Sequence, residues 1–191
     1  MTITSTYSTL RPLNINSDQD MVTIAALYAS TRQEEMSLSG WPQQQIDQFL
    51  QSQFEAQHTF YMEQFPNASF DLIEIEGQVA GRLYVNRTAE RVTIIDIALF
   101  PEFRNQKIGE HYLTALQQEI TDPKQRLTIH VEHVNPALTL YIRLGFYPIQ
   151  LQGLYILMEW VNSAELRAER KAQYEPLVKA ELQEMTGTAH A

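Results

Sequence analysis

The residues best suited to chemistry lie in one stretch near the middle of the chain, Arg91–Leu116. Asp96 interrupts an apolar segment there, and helical spacing resumes after Gly109. The loop that follows Pro101 carries two cations and two amides: Arg104, Asn105, Gln106 and Lys107. A strand, a loop and a helix in this order predict an anion site, because the first N–H groups of a helix have no internal partners and its dipole is positive there. Phosphate is the usual ligand of such a site.

Three side chains are candidates for a general base. Asp96 ranks first, because burial of a carboxylate on an apolar strand favours its uptake of a proton. Its alternative role is structural, as an acceptor of hydrogen bonds from a neighbouring loop. Glu132 and then His133 follow, at the end of the next predicted strand. We expect no metal site, because strand alternation places His133 on the face opposite His130 and Glu132.

Helices and strands alternate around these residues, so we expect an α/β fold. Apolar periodicity and turn residues predict two helices, three antiparallel strands, a strand–helix–strand crossover, a short helix and a closing hairpin. Ser17 and Asp20 predict the cap of the first helix, and a linker is predicted from Arg32 to Trp41. The predicted segments are 10–13, 18–31, 42–65, 70–75, 79–86, 91–100, 110–120, 126–131, 136–144, 146–150 and 154–160.

The length of 191 residues and the 44% share of hydrophobic residues predict one domain with a full core. We expect residues 1–8 to be flexible, 9–160 to form the domain, and 161–191 to form a helical extension that Pro176 interrupts. The extension packs on the domain, covers the interface of a homodimer, or frays. The chain has no cysteine, which excludes disulfides, thiolate metal sites and a cysteine nucleophile.

The net charge of −9 disfavours a nucleic-acid partner, which needs a basic surface. It is compatible with attraction of a cationic amine, although acidity that supports solubility is the alternative. No apolar run reaches the length of a membrane span, and the first ten residues lack a basic segment and a continuous apolar segment. We therefore expect a cytoplasmic protein without a membrane partner.

Two motifs resemble signatures of the GNAT superfamily of CoA-dependent N-acetyltransferases. The segment Asp96–Gly109 resembles its pyrophosphate-binding motif, which reads Arg or Gln, two residues, Gly, one residue, Gly or Ala. The segment Val131–Phe146 resembles its second signature, an Asn before a short helix that ends in Leu-Tyr, three residues and Gly-Phe. The resemblance covers roughly residues 8–160. Asn105 and Lys107 depart from the common glycines of the loop.

The resemblance implies a mixed α/β fold with a central sheet of about seven strands. An antiparallel meander would be followed by a parallel crossover pair splayed at the CoA site, with helices on both faces. It also implies acetyl-CoA as the donor of an acetyl group to a primary amine of a small molecule or a peptide N-terminus. We expect direct attack in a ternary complex, because no nucleophile for a covalent intermediate is evident.

The resemblance further implies roles for individual residues. Tyr141 is the expected general acid toward the CoA thiolate, with a packed helix tyrosine as the alternative. The resemblance also implies that the following residues bind the cofactor: Ile97, Ala98, Leu99, Arg104, Asn105, Gln106, Lys107, Ile108, Gly109, Glu110 and Asn135. The segment between the first two helices implies substrate contacts from Glu34, Glu35 and Trp41, against the alternative of a solvated charge pair and a core tryptophan.

Two other functions stay open. One is a catalytically weak CoA-binding or protein-interaction module, suggested by Asn105, Lys107 and the tail. The other is a structural α/β domain with chance motif matches. Lys107 either obstructs the diphosphate or, if its backbone keeps a negative φ, contributes a point charge to a phosphate.

Overall fold

The computed structural model describes residues 8–187, with side chains described through residue 185. Within those residues the chain forms seven strands, five α-helices and one 3-10 turn, Pro101–Phe103. The strands are β1 (Ser8–Pro12), β2 (Ser69–Ile75), β3 (Gln78–Arg87), β4 (Arg91–Leu99), β5 (Arg126–Glu132), β6 (Tyr147–Gln152) and β7 (Tyr155–Val161). The helices are α1 (Asp18–Ser37), α2 (Gln43–Gln64), α3 (Ile108–Glu119), α4 (Leu138–Arg143) and α5 (Ala164–Gly187).

The strands form one mixed sheet in the order β1-β2-β3-β4-β5-β7-β6. The pairs β1–β2, β2–β3, β5–β7 and β6–β7 are antiparallel, whereas β4 and β5 are parallel. Helix α3 connects the two parallel strands, as a crossover requires. The predicted fold class, with its meander followed by a parallel pair, is therefore confirmed. Residues 1–7 of the predicted flexible segment lie outside the described residues.

The chain divides into two compact units. The first contains the residues up to Asn86 together with Ile95–Gly109, and the second contains Arg87–Ile94 and the residues from Glu110 onward. In the first unit, α1, α2 and β2 share one apolar core: Ile24, Tyr28, Met36, Ile46, Leu50, Phe54 and Leu72.

Helix α1 begins as predicted and ends later than predicted. The backbone N–H of Asp20 donates to Ser17 Oγ at 3.3 Å, which confirms the cap. The predicted end at residue 31 is wrong, because Met36 is buried in the core and its burial extends the helix to Ser37. Most of the predicted linker is consequently helical. Pro42 is the N-cap of α2 and lies just before its first residue.

The C-terminal helix α5 is continuous, so the prediction that Pro176 interrupts it is wrong. Proline removes one backbone hydrogen bond, to the carbonyl of Ala172. Helix α5 packs against β6 and β7, and Val178 is fully covered. Burial of this face stabilises the helix on both sides of the missing bond.

Strand β4 is more deeply buried in its first half than in its second. Val92 and Ile94 are buried, whereas every residue of Ile95–Leu99 is half-buried. The parallel register with β5 runs from Arg91↔Arg126 to Ile94↔Ile129. The half of β4 that extends beyond this register is therefore the accessible half, and it leads directly into the predicted anion loop.

Candidate active site

The loop between β4 and α3 has a glycine-like backbone without glycine. Asn105 has φ 60° and Lys107 has φ 62°, both in the left-handed region, and α3 starts at the next residue, Ile108. Asparagine tolerates this region, but a lysine there costs about 1 kcal/mol. The negative φ that would let Lys107 act simply as a point charge is absent. Strained backbone of this kind is concentrated at ligand sites.

The side chains of the loop hold its entry in place. Arg104 Nε donates to the carbonyl of Leu99 at 2.9 Å, and its Nη2 donates to the carbonyl of Ser30 at 3.4 Å. Gln106 Nε2 donates to the carbonyl of Glu102 at 2.7 Å. Arg104 is thus turned toward the end of β4. The exposed loop and the first turn of α3 offer backbone N–H groups to an anion, which suits a diphosphate.

Gly81 on β3 allows a close approach to the end of β4. A Cβ atom at this position would lie 2.2 Å from the carbonyl oxygen of Ala98 and 2.7 Å from Leu99 Cδ2. Any side chain here would displace the backbone of β4. Gly81 was not among the predicted site residues, although a lone glycine inside a strand often marks such a contact.

Asp96 is paired with an arginine that the sequence analysis missed. Arg82 on β3 is only 3% exposed, and its Nη2 donates to Asp96 Oδ2. The same Nη2 donates to Gln57 Oε1 at 2.9 Å, and the guanidinium lies 5.1 Å from the centre of the Tyr84 ring. This pairing favours the structural alternative for Asp96. The available signal was a charged residue inside the apolar run 79–85.

Three buried polar atoms around this pair have no hydrogen-bond partner within residues 8–187: Arg82 Nε, Tyr84 Oη and His58 Nδ1. Burial raises the pKa of Tyr84 to about 12. Burial, and then the charge of Arg82, lower the pKa of His58 below its usual 6.5. His58 and Tyr84 are therefore both neutral near pH 7.

In the second unit, Tyr141 lies on α4 and is 5% exposed. Its ring makes an edge contact with Phe146 at 5.8 Å between centroids. Such packing is what the structural alternative describes, and it also keeps water away from the phenol. The role of Tyr141 as an acid stays a prediction.

Glu132 ends β5 and is half-buried, and it accepts a hydrogen bond from Tyr155 Oη at 3.1 Å. His133 Nδ1 lies 3.1 Å from the carbonyl oxygen of Leu154. The first contact connects the end of β5 with the first residue of β7, and the second connects it with the turn before β7. Glu132 is held by a neutral phenol, in contrast to the guanidinium that holds Asp96.

Asn135 has a local structural contact. Its Oδ1 accepts a hydrogen bond from the backbone N–H of Ala137 at 2.8 Å, ahead of α4. Helix α4 begins at Leu138, two residues later than predicted. The turn that Asn135 stabilises takes up those two residues, and its role toward a cofactor stays a prediction.

The three candidate substrate contacts lie at the end of α1 and before α2. Glu34 and Glu35 are helical and exposed, and Glu35 pairs with Arg32 at 3.1 Å. Trp41 is 48% exposed and makes an edge contact with Phe49 at 5.6 Å. The alternative of a core tryptophan is therefore wrong, and the contact of these residues with substrate stays a prediction.

Two features are absent from the described part of the chain. No helix in residues 8–187 is long and apolar enough to cross a bilayer. Nor does that part contain a group of three His, Cys, Asp or Glu side chains placed to hold a metal ion.

Comparison with known proteins identifies the family. No curated protein matches the chain. The profile of the acetyltransferase (GNAT) family matches residues 28–146, more than half of the sequence. The fold resembles that of the PaiA N-acetyltransferase from Thermoplasma acidophilum, solved in complex with coenzyme A, at 15% identity and a TM-score of 0.59, over 81% of this chain and 99% of that one. It also resembles an acetyltransferase from Thermus thermophilus, at 16% identity and a TM-score of 0.55, over 81% and 96% of the two chains. At these identities the structural likeness concerns the fold, and the profile match shows that the chain belongs to the GNAT acetyltransferase family.

Proposed function

We propose that the protein transfers an acetyl group from acetyl-CoA to a primary amine of a small molecule or of a peptide N-terminus, by direct attack in a ternary complex. The observation that supports this most strongly is the loop before α3, where Asn105 and Lys107 keep left-handed backbone conformations at the start of a helix. Membership of the acetyltransferase family supports acetyl-CoA as the donor.

Acetyl-CoA supplies an acetyl group already activated as a thioester. In this proposal the backbone N–H groups of Arg104–Glu110 hold its diphosphate. The backbone of Ile97–Leu99 holds the pantetheine arm, and the N–H of Leu99 donates to the thioester carbonyl. The half exposure of this end of β4 supports the assignment. Asn135 stays a further candidate for the cofactor.

Two proton transfers remain for the side chains. The amine must lose a proton, and the departing sulfur must gain one. We assign the first to Glu132, directly or through water, because the side chain of Tyr155 that donates to it carries no charge. Asp96 is the second candidate for this role, since the cationic Arg82 already engages its carboxylate. We assign the second transfer to Tyr141, whose neutral phenol can donate to sulfur.

Thermal unfolding with acetyl-CoA tests donor binding. A ligand at about a hundred times its dissociation constant raises the melting temperature of a protein of this size by about 5–10 °C. Free CoA and adenosine diphosphate as parallel ligands show which part of the cofactor contributes. The absence of a shift at millimolar acetyl-CoA would contradict the proposal.

Turnover is measurable by the thiol of released CoA, because the chain contains no cysteine that would react with a thiol reagent. The acceptors are a polyamine, a free amino acid, an aminoglycoside and a short peptide with a free N-terminus. Tyr141→Phe should lower turnover and leave acetyl-CoA affinity nearly unchanged, and a large loss of affinity would contradict the acid role. Tyr174→Phe on α5 is the matched control. A loss of turnover in Asp96→Asn that Glu132→Gln does not share would reverse the ranking of the two carboxylates.

A second candidate function is a CoA-binding or protein-interaction module with little turnover. It is favoured by Lys107, whose side chain extends from a loop position where a glycine would leave the backbone open. A thermal shift with acetyl-CoA, without thiol release for any acceptor, would support this candidate over the enzyme.

A further inference from the structure

A second cationic region lies at the beginning of β4 and β5. Arg91 is the first residue of β4, and it is directly in register with Arg126, the first residue of β5. Residues paired in this way point to the same face of a sheet, as the neighbouring pair Thr93 and Thr128 shows, with their Oγ1 atoms 3.4 Å apart. Like charges placed directly opposite each other on neighbouring strands are destabilising. Arg91 and Arg126 therefore repel each other, and this repulsion costs stability.

The two arginines share a depression with Lys124 and Glu90. Its volume is about 270 Å³, which is slightly below the usual range of small-molecule pockets. Three cations and one carboxylate line it, in a chain whose net charge is −9. Within residues 8–187, neither Arg91 nor Lys124 forms an ion pair. The depression is consequently a positive site on an acidic protein.

Hydrogen bonds fix the walls of this depression. The N–H of Arg126 donates to the carbonyl of Glu90 at 3.0 Å, and the N–H of Lys124 donates to Asp122 Oδ1 at 2.8 Å. The N–H of Arg91 donates to Thr88 Oγ1 at 3.1 Å. Hydrogen bonds thus fix the backbone of all three cations, which reduces the entropy that a ligand must overcome.

The nearest buried carboxylate, that of Glu159, forms a long ion pair with Arg126. Glu159 is fully buried; its Oε1 accepts a hydrogen bond from Tyr147 Oη at 2.6 Å and forms an ion pair with Arg170 Nη1 at 2.8 Å. Its Oε2 has no hydrogen-bond partner in the described chain, and Arg126 Nε lies 3.7 Å away, too far for a hydrogen bond. Arg170 is therefore the principal counter-charge of Glu159, and Arg126 keeps donors for another anion.

We propose that this depression binds a small multivalent oxyanion, such as a free phosphate or diphosphate. The anion bridges Arg91 and Arg126 through the forked geometry that guanidinium groups present to oxyanions, with Lys124 as a third cation. Bridging replaces the repulsion between the two arginines by two attractions. The site shares no residue with the proposed acetyl-CoA loop.

Isothermal titration with sodium pyrophosphate tests this site, with ionic strength held constant by sodium chloride. We expect Arg91→Gln to weaken binding ten- to hundred-fold, because it removes charge-assisted hydrogen bonds. Lys171→Gln, at an exposed position on α5, removes the same charge and should bind as the wild type does. Without ligand, the melting temperature of Arg91→Gln should equal or exceed that of the wild type, because the repulsion between the two arginines is gone.

Three outcomes would overturn the proposal. The first is no binding to the wild type at millimolar pyrophosphate. The second is wild-type affinity in Arg91→Gln, which would place the anion elsewhere, including at the loop before α3. The third is an equal loss in Lys171→Gln, which would show attraction to net charge rather than to a site. Arg126→Gln is a second variant, and Arg91→Gln decides alone if loss of Arg126 beside Glu159 prevents folding.

Discussion

Replacement of Arg82 by methionine tests whether Arg82 and Asp96 act as one unit. The change removes a side chain that is 3% exposed and leaves the carboxylate of Asp96, which is 18% exposed, without its charged partner. Removing one member of a buried pair usually costs about 3–5 kcal/mol. Because Asp96 is partly accessible to water, we expect about 3 kcal/mol for Arg82→Met, at the lower end of that range. This lowers the melting temperature by about 6–12 °C in a protein of this size.

The reciprocal change, Asp96→Asn, should cost more than Arg82→Met. It leaves a guanidinium that is more deeply buried than the carboxylate and that does not lose its proton at any accessible pH. Gln57 Oε1 still accepts a hydrogen bond from Arg82 at 2.9 Å, and this bond reduces the loss of stability in Asp96→Asn. The double variant should lose less free energy of unfolding than the sum of the two single losses, by a coupling energy of about 1–3 kcal/mol.

Urea unfolding of the wild type, both single variants and the double variant measures this coupling. Arg143→Met is the control, since Arg143 is 59% exposed and pairs with Glu110 in solvent at 2.9 Å, where such pairs contribute less than about 1 kcal/mol. Strict additivity of the two single changes, within about 0.5 kcal/mol, would refute the unit. Asp96 would then regain the first place among candidate bases.

Three other changes give direct readings of local structure. Gly81→Ala should lower the free energy of unfolding by about 1–3 kcal/mol, because the new Cβ displaces the carbonyl of Ala98; an unchanged urea midpoint would contradict this. Lys107→Gly should raise it by up to about 1 kcal/mol by removing a left-handed lysine, and a loss would show that the side chain makes stabilising contacts. Hydrogen bonds from Arg11 hold the pKa of Asp20 below its usual 3.8. The stability that these bonds contribute is complete above pH 3.8 and is lost as the pH falls through the lower pKa of the folded state. In an acid titration, Asp20→Asn should therefore not show this loss of stability.

Much of the fold could be predicted because its signals are local. Ser17 caps α1 through the N–H of Asp20, three residues away, and Pro101 follows two residues after the end of β4. The C-terminal end of α1 and the continuity of α5 could not be predicted in this way. They depend on the burial of Met36 and Val178, which is decided by distant segments of the chain.

In the candidate site, too, local features were predictable and features set by distant residues were not. The anion loop was predictable, since Arg104 and Gly109 carry a recognisable spacing. The left-handed conformation of Lys107 was not, because lysine disfavours it and only the surrounding fold imposes it. Arg82 was missed because its partner lies fourteen residues away on the next strand, where no sequence periodicity connects the two.

Several features that cost stability in the first unit lie at the carboxyl end of β4. Asn105 and Lys107 hold left-handed backbone conformations just beyond this strand. Gly81 leaves no room for a side chain, because the carbonyl of Ala98 on β4 lies against it. Arg82 is buried and loses its hydration where it pairs with Asp96. Selection for stability alone would favour glycines in the loop and an apolar side chain in place of Arg82. Costs of this kind at one segment are expected where a ligand site constrains the chain.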